Sequence, residues 1–298
     1  MYLDRATVEM YLDFGWAMFA EKAGTAMDDD DRAEAARRLT RLDRRAAAAA
    51  FRDIADDECV EDAVRLEAAE NLAALDPRSA AEALRGIAAD EGVEDALRYE
   101  AADRLPGLDD RLAAHAFREM AGDEGVEDAL RLEAADRLRG LDERLAAQAF
   151  RDIARDEGVE DALRYEAAER LPGLDGRVAA EVFRDMAADE GLEDALRYEA
   201  ALHLPGLDDR LAAEALRDIA DDEGIDEGLR MEAAERLAEF DPRSAAEVLR
   251  GIREDQPWPR GRRPFAHAGP VLMPPMPPMS PMLPQPPLSR PQRPPRPW

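Results

Sequence analysis

Carboxylates are the commonest chemistry-bearing groups in this chain, and they fall in a fixed pattern. Asp-Glu-Gly-Val-Glu-Asp stands unchanged at Asp90–Asp95, Asp123–Asp128 and Asp156–Asp161, with variants in register at Asp57–Asp62, Asp189–Asp194 and Asp222–Glu227. A calcium loop needs alternating oxygen ligands around a turn and a bidentate Glu closing a twelve-residue loop. The motif does not supply that spacing, so no metal is assigned to it. Its acids read as helix-start charge and solubility, with docking of a basic partner as the alternative. Other reactive groups are sparse. His115, His203 and His267 stand in unrelated settings, and Cys59 occupies a place that Gly fills in later copies. A single cysteine excludes an intramolecular disulfide. There is no Gly-rich phosphate loop and no nucleophile elbow. These residues suggest no catalytic group and no cofactor, and they point towards binding.

Arginine supplies the second pattern. Three columns recur every 33 residues, through Arg98, Arg111 and Arg118, the last continuing at Arg151, Arg184 and Arg217. Such a ladder could grip carboxylates or phosphates bidentately. The columns read first, however, as structural ion-pair ladders between units, since Glu94 lies four residues before Arg98 and Glu100 four before Arg104. A third pattern lies near the C-terminus. Met273, Met276, Met279 and Met282 recur every third residue between prolines. Polyproline II has three residues per turn, so the four would line one edge of an extended rod. That edge could dock on an aromatic groove. The plain alternative is a disordered linker, and copper(I) binding by the thioethers is a weaker one.

The elements that must carry these residues follow from the period. The stretch from Asp29 to Asp255 is one 33-residue unit written seven times, which means small units burying their apolar faces on their neighbours. In the copy from Asp90, the stripe Ala96, Leu97, Ala101, Ala102 and Leu105 predicts an amphipathic helix. Pro106-Gly107 stops it. Asp109 is placed to cap a second helix over 110–121, burying Leu112, Ala113, Ala116, Phe117 and Met120. The columns through Leu97, Phe117 and Met120 are volume-matched from unit to unit and read as core. No stretch alternates with period two. The fold class is all-α: an α-solenoid of about seven helical hairpins.

Asp95-Ala-Leu-Arg98-Tyr-Glu-Ala101-Ala102-Asp-Arg-Leu105 resembles the first helix of HEAT-like repeats of the phycobilisome-lyase type. The likeness recurs over about three-quarters of the chain. The ankyrin and tetratricopeptide signatures, of similar period, are missing. The resemblance implies stacked hairpins in a right-handed superhelix whose second helices line the concave face. On that face the exposed column reads Glu82, His115, Gln148, Glu181, Glu214 and Glu247, flanked by Arg118, Arg151, Arg184 and Arg217. These are the candidate partner-binding residues. Bilin lyases share the repeat, but no catalytic residue can be placed from them, and the His-Glu pair of iron-binding HEAT-repeat hydroxylases is missing.

Composition divides the chain into three parts. Residues 1–23, with Tyr11, Phe14, Trp16 and Phe19, read as an apolar capping helix. The seven repeats follow as 24–56, 57–89, 90–122, 123–155, 156–188, 189–221 and 222–255. Residues 256–298 form a tail rich in Pro, Met and Arg that is expected to be disordered. That tail holds six Arg and no acid; removing them from the 40 basic residues leaves 34 against 68 acidic ones in 1–255, a formal charge of −34. Such acidity disfavours nucleic acid and suits a protein partner, possibly basic. No leader or membrane-spanning run is visible, so a cytoplasmic location is expected, with no membrane partner. Lys22 is the only lysine, and the Arg and Ala bias suggests a bacterial gene. The expected function is a non-enzymatic protein-interaction scaffold or adaptor of open oligomeric state. The alternatives are an acidic inhibitor or nucleic-acid mimic occupying a basic surface, and a chromophore-lyase-like enzyme.

Overall fold

The structure, a computed structural model, describes residues 29–255, and the expected N-terminal cap and the Met-Pro tail lie outside them. The described residues form an α-solenoid of fourteen helices, with no strand among them. Each unit is a hairpin of a first and a second helix. The pairs are α1 (Asp29–Leu39) with α2 (Arg44–Ala55), α3 (Asp62–Ala73) with α4 (Pro77–Ala88), and α5 (Asp95–Asp103) with α6 (Asp110–Gly122). They continue as α7 (Asp128–Leu138) with α8 (Glu143–Arg155), α9 (Asp161–Arg170) with α10 (Gly176–Ala188), α11 (Asp194–His203) with α12 (Asp209–Asp221), and α13 (Glu227–Leu237) with α14 (Pro242–Asp255).

Helices of nine to fourteen residues are marginal alone in water, so packing holds them. Phe51, Phe117, Phe150 and Phe183 on the second helices are at most 1% exposed, and the Ile/Met column through Met120 is equally enclosed. Paired alanines such as Ala101 and Ala102 are fully buried on the first helices, where a small side chain lets neighbours approach. Val60, Val93, Val126, Val159, Leu192 and Ile225 inside the acidic motif are also buried. Each plugs the seam between units from the turn itself. Successive second helices pack against one another along the whole array.

Capping sets the hairpin. Asp109 Oδ1 accepts the N–H groups of Arg111 and Leu112 at 3.0 and 3.1 Å, and Asp142, Asp175 and Asp208 repeat the arrangement. In the turn before α6, Gly107 takes φ +84° and donates its N–H to Asp110 Oδ1 at 2.9 Å. Gly206 does the same with Asp209. The fifth unit carries the same Pro-Gly-Leu-Asp run but has Gly176 where these units have Asp, and Gly173 does not enter the left-handed region. A Cβ added at Gly107 or Gly173 would meet no atom within 4 Å, so only backbone conformation separates the two. Gly107→Ala is accordingly expected to cost about 1 kcal/mol, whereas Gly173→Ala should be neutral or stabilising by a few tenths. Equal urea midpoints for the two variants would contradict this.

The first helices do not bury the whole stripe their sequence suggests. Ala96 is exposed and Leu97 half-buried, while Arg98 points inward at 6% exposure. A guanidinium can be buried when its N–H groups find acceptors, and here they find three. Arg98 Nε donates to the Ala88 carbonyl at the end of α4 (3.3 Å), Nη1 to Asp95 Oδ1 on its own helix (3.1 Å) and Nη2 to Asp123 Oδ2 in the following unit (3.0 Å). One side chain thus fastens three successive units. Arg65, Arg131 and Arg164 repeat all three contacts, and Arg197 keeps the carbonyl and reaches Asp222 at 3.2 Å. Every buried side-chain nitrogen and oxygen among the described residues has a partner.

Two of the motif's four carboxylates are therefore structural. Asp123 Oδ1 accepts the Gly125 N–H at 3.0 Å while Oδ2 takes Arg98, and Asp95 Oδ2 accepts the Glu127 N–H of the next unit at 3.2 Å. Only the Glu91 and Glu94 type faces water. The ion pair expected between Glu94 and Arg98 is made by Asp95 instead, because three residues, not four, set the carboxylate beneath the inward-turned guanidinium.

Candidate functional site

The second-helix face carries the candidate residues in one row. Glu82 lies on α4, His115 on α6, Gln148 on α8, Glu181 on α10, Glu214 on α12 and Glu247 on α14, at equivalent positions. All are exposed except Glu181, which is half-buried. Arg118, Arg151, Arg184 and Arg217 stand one helical turn further along, and Arg151 among them is half-buried. Neighbouring second helices are in contact, so these side chains form one continuous strip.

Local pairs differ from unit to unit. His115 Nδ1 lies 3.0 Å from Glu119, Arg151 pairs with Asp152 at 2.7 Å, Arg184 with Asp185, and Arg217 with Asp221 at 3.5 Å. Glu82 pairs with Arg78 at 3.3 Å and Glu181 meets Arg177 at 3.9 Å. The three arginine columns thus have separate fates. The Arg98 column is an inter-unit ladder. Those through Arg111 and Arg118 stay at the surface and pair, where they pair, mostly within their own helix; Arg52, reaching Asp76 at 2.7 Å, crosses to the next unit.

A ladder that sequence reading overlooked runs along the ends of the first helices. Arg104 reaches back to Glu70, Arg137 to Asp103 at 2.9 Å and Arg170 to Asp136 at 2.9 Å. At the next rung stands His203, with Nε2 3.7 Å from Glu169. Its ring stacks on Phe183 at 4.6 Å and meets Tyr165 edge-on at 5.9 Å. Burial, aided by Glu169 and Glu199, pushes the Tyr165 phenol up to about 12, so it stays protonated at neutral pH. The Glu100–Arg104 pair expected from spacing is present at 2.8 Å. The 33-residue recurrence of Arg104, Arg137 and Arg170 was the available signal for the rest.

Two grooves open on the strip, both beside Gln148. One, of about 360 Å³ between α6 and α8, has Ala121, Leu145 and Ala149 in its wall and Arg118 at its rim. The other, of about 480 Å³ between α8 and α10, is walled by Ala147, Leu174 and Val178 and rimmed by Arg144 and Arg151.

Charge is sorted between the two sides. Segments 90–105, 123–138, 156–171, 189–204 and 222–237, each a motif plus first helix, carry −4 apiece. Segments 76–89, 109–122, 142–155 and 175–188, each a second helix with its cap, sum to 0 or −1, and 208–221 reaches −3. The acidity of the chain therefore resides on the first helices and the turns.

Among the described residues, no group of three or more His, Cys, Asp or Glu side chains is placed to hold a metal ion. No helix among them is long and apolar enough to cross a membrane. Cys59 is exposed, and its N–H donates to Asp57 Oδ1 as Gly does in the other units. Met273, Met276, Met279 and Met282 lie outside the described residues. The chain matches no family model, no curated protein and no solved structure.

Proposed function

We propose that the chain is a HEAT-like repeat protein of non-enzymatic function, a scaffold or adaptor that binds a protein partner through the exposed face of its second helices. The observation that carries this is the contrast within those helices. Buried columns through Phe117 and Met120 barely change from unit to unit, while the exposed column runs Glu82, His115, Gln148, Glu181, Glu214, Glu247. A rigid platform with a distinct surface at each step is what one extended partner needs for register. The grooves beside Gln148 add to it.

The test is affinity purification on the full-length chain beside a His115→Lys/Gln148→Lys/Glu181→Lys variant of unchanged circular dichroism. A specific partner retained by the wild type and lost by the variant is the expected result. Retention by both would move the site elsewhere.

The acid strip of the first helices favours a second reading, an antagonist that covers a basic surface. It expects capture of a poly-lysine peptide that weakens steeply with added salt. Capture insensitive to salt would exclude it.

A further inference from the structure

In a chain with 68 acidic and 40 basic residues, an exposed arginine should find a carboxylate easily. On the first helices it does. On the second-helix face Arg85, Arg111, Arg118, Arg144, Arg210 and Arg250 make no side-chain hydrogen bond or ion pair among the described residues. Chance would not gather the unpaired cations of an acidic protein on its one nearly neutral side.

We infer that this strip, on the reading of it as the docking face, takes an extended acidic segment of a partner protein, seated at α6, α8 and α10. Arg111 and Arg118 are seven residues apart on α6, about 10 Å along the axis at 1.5 Å per residue. Neighbouring second helices lie about 8–10 Å apart. A peptide in the polyproline II conformation advances about 3.1 Å per residue with three residues per turn, so carboxylates three residues apart share one edge about 9 Å apart and match either direction of this grid. The side chains between them would enter the two grooves beside Gln148, where Ala, Leu and Val lie between charged rims. At this place the central column carries His115 and Gln148, whereas the flanking units carry Glu82 and Glu181. Of the four carboxylates that line the grooves, Glu119 lies against His115, Asp152 pairs with Arg151 and Asp175 caps α10, which leaves Glu143 beside Arg144.

Guanidinium binds carboxylate bidentately and specifically, which suits Arg at both rims. The acid of the first helices lies a helix diameter away, about 10 Å, beyond the Debye length of about 8 Å at physiological salt. A short acidic segment is therefore not repelled strongly. A nucleic acid, with one charge per about 1.7 Å of duplex, would extend past the strip and meet the whole −34 body.

The experiment uses the full chain and a fluorescein-labelled peptide with Glu at every third position and Leu or Ala between, read by anisotropy. Micromolar binding is expected, weakened about tenfold or more in Arg118→Glu/Arg144→Glu and unchanged in Arg139→Glu, an exposed control just past the end of α7. A peptide with Gln for Glu should bind at least tenfold more weakly. If the Gln peptide binds equally well and the double variant still abolishes it, the face binds partners but not through their acid, and this inference falls while the docking face stands. If no peptide binds, or only single-stranded DNA is captured, the acidic-peptide assignment is overturned.

Discussion

Arg131→Leu is expected to lower the stability of the array by about 2–3 kcal/mol and to broaden or split its unfolding between the fourth and fifth units. The substitution removes the donors to the Ala121 carbonyl, to Asp128 at 3.2 Å and to Asp156 at 2.7 Å in one step. Breaking a fully buried ion pair costs about 3–5 kcal/mol, because the remaining charge is stranded. Here Asp128 and Asp156 keep 32% and 24% of their side-chain exposure, so water recovers part of that. Stability in such arrays is a sum of unit terms and nearest-neighbour interfaces. Arg131 serves the third, fourth and fifth units together, so its loss falls on the couplings. Arg131→Lys should lose nearly as much, since a single ammonium cannot reach three acceptors in fork geometry. Arg144→Leu, at an exposed and unpaired site, should stay within about 0.5 kcal/mol of the wild type. Urea titration by circular dichroism decides it. Equal midpoints for Arg131→Leu and Arg144→Leu would show the interior arginines to be ornamental.

The second large effect is loss of structure in acid. The Gly125 N–H, then Arg98, hold the Asp123 carboxyl below its ordinary value of 3.8, and Arg131 does the same for Asp156 against the opposing effect of burial. The Cys59 N–H, then Arg32, lower Asp57, and the Gly224 N–H, with Arg197, lowers Asp222. A depressed folded-state pKa contributes stability that is present above 3.8 and disappears as pH falls through the lower folded value. An opposite trend comes first. Between neutral pH and the Glu range near 4.3, protonation of free glutamates relieves repulsion within the −34 body. Melting temperature should therefore hold or rise from pH 7 to about 4.5, then drop steeply below 3.8. Asp156→Asn should melt lower at neutral pH and show a shallower acid limb. A steady decline from pH 7 downward would mean that the clasp carboxylates do not govern the response.

Much of the fold was legible because the same helix is written seven times. The Phe117 and Met120 columns, the Asp109 cap and the range of α6 follow from periodicity and capping, and the structure has them in place. The first helix was harder. Ala96 and Leu97 fit an apolar stripe as well as any residues, and nothing in hydrophobicity places Arg98 inside. Its burial depends on three acceptors from three units, one of them a backbone carbonyl, and sequence spacing does not display such an arrangement. The motif misled for a related reason. Four acids look alike in a string, yet Asp90 and Asp95 are short enough to close a turn and meet a guanidinium, while Glu91 and Glu94 remain solvated. The charge sorting was present in the sequence throughout. It becomes visible only when residues are assigned to first or second helices, and with it the unpaired arginines of α6 and α8.

The clasp also bears on how this chain can change length. Arg98 grips Asp123, and the residue standing in the same place one period later is Asp156, held by Arg131. Excision of 123–155 would bring Arg98 to Asp156 with identical chemistry, and a duplicated block would be received on equal terms. An array joined by interchangeable fasteners can grow or shrink by unequal crossover without inventing a new joint. On the proposed reading of a docking face, reach along a partner would be set by copy number, and recognition by the few side chains that differ from one copy to the next.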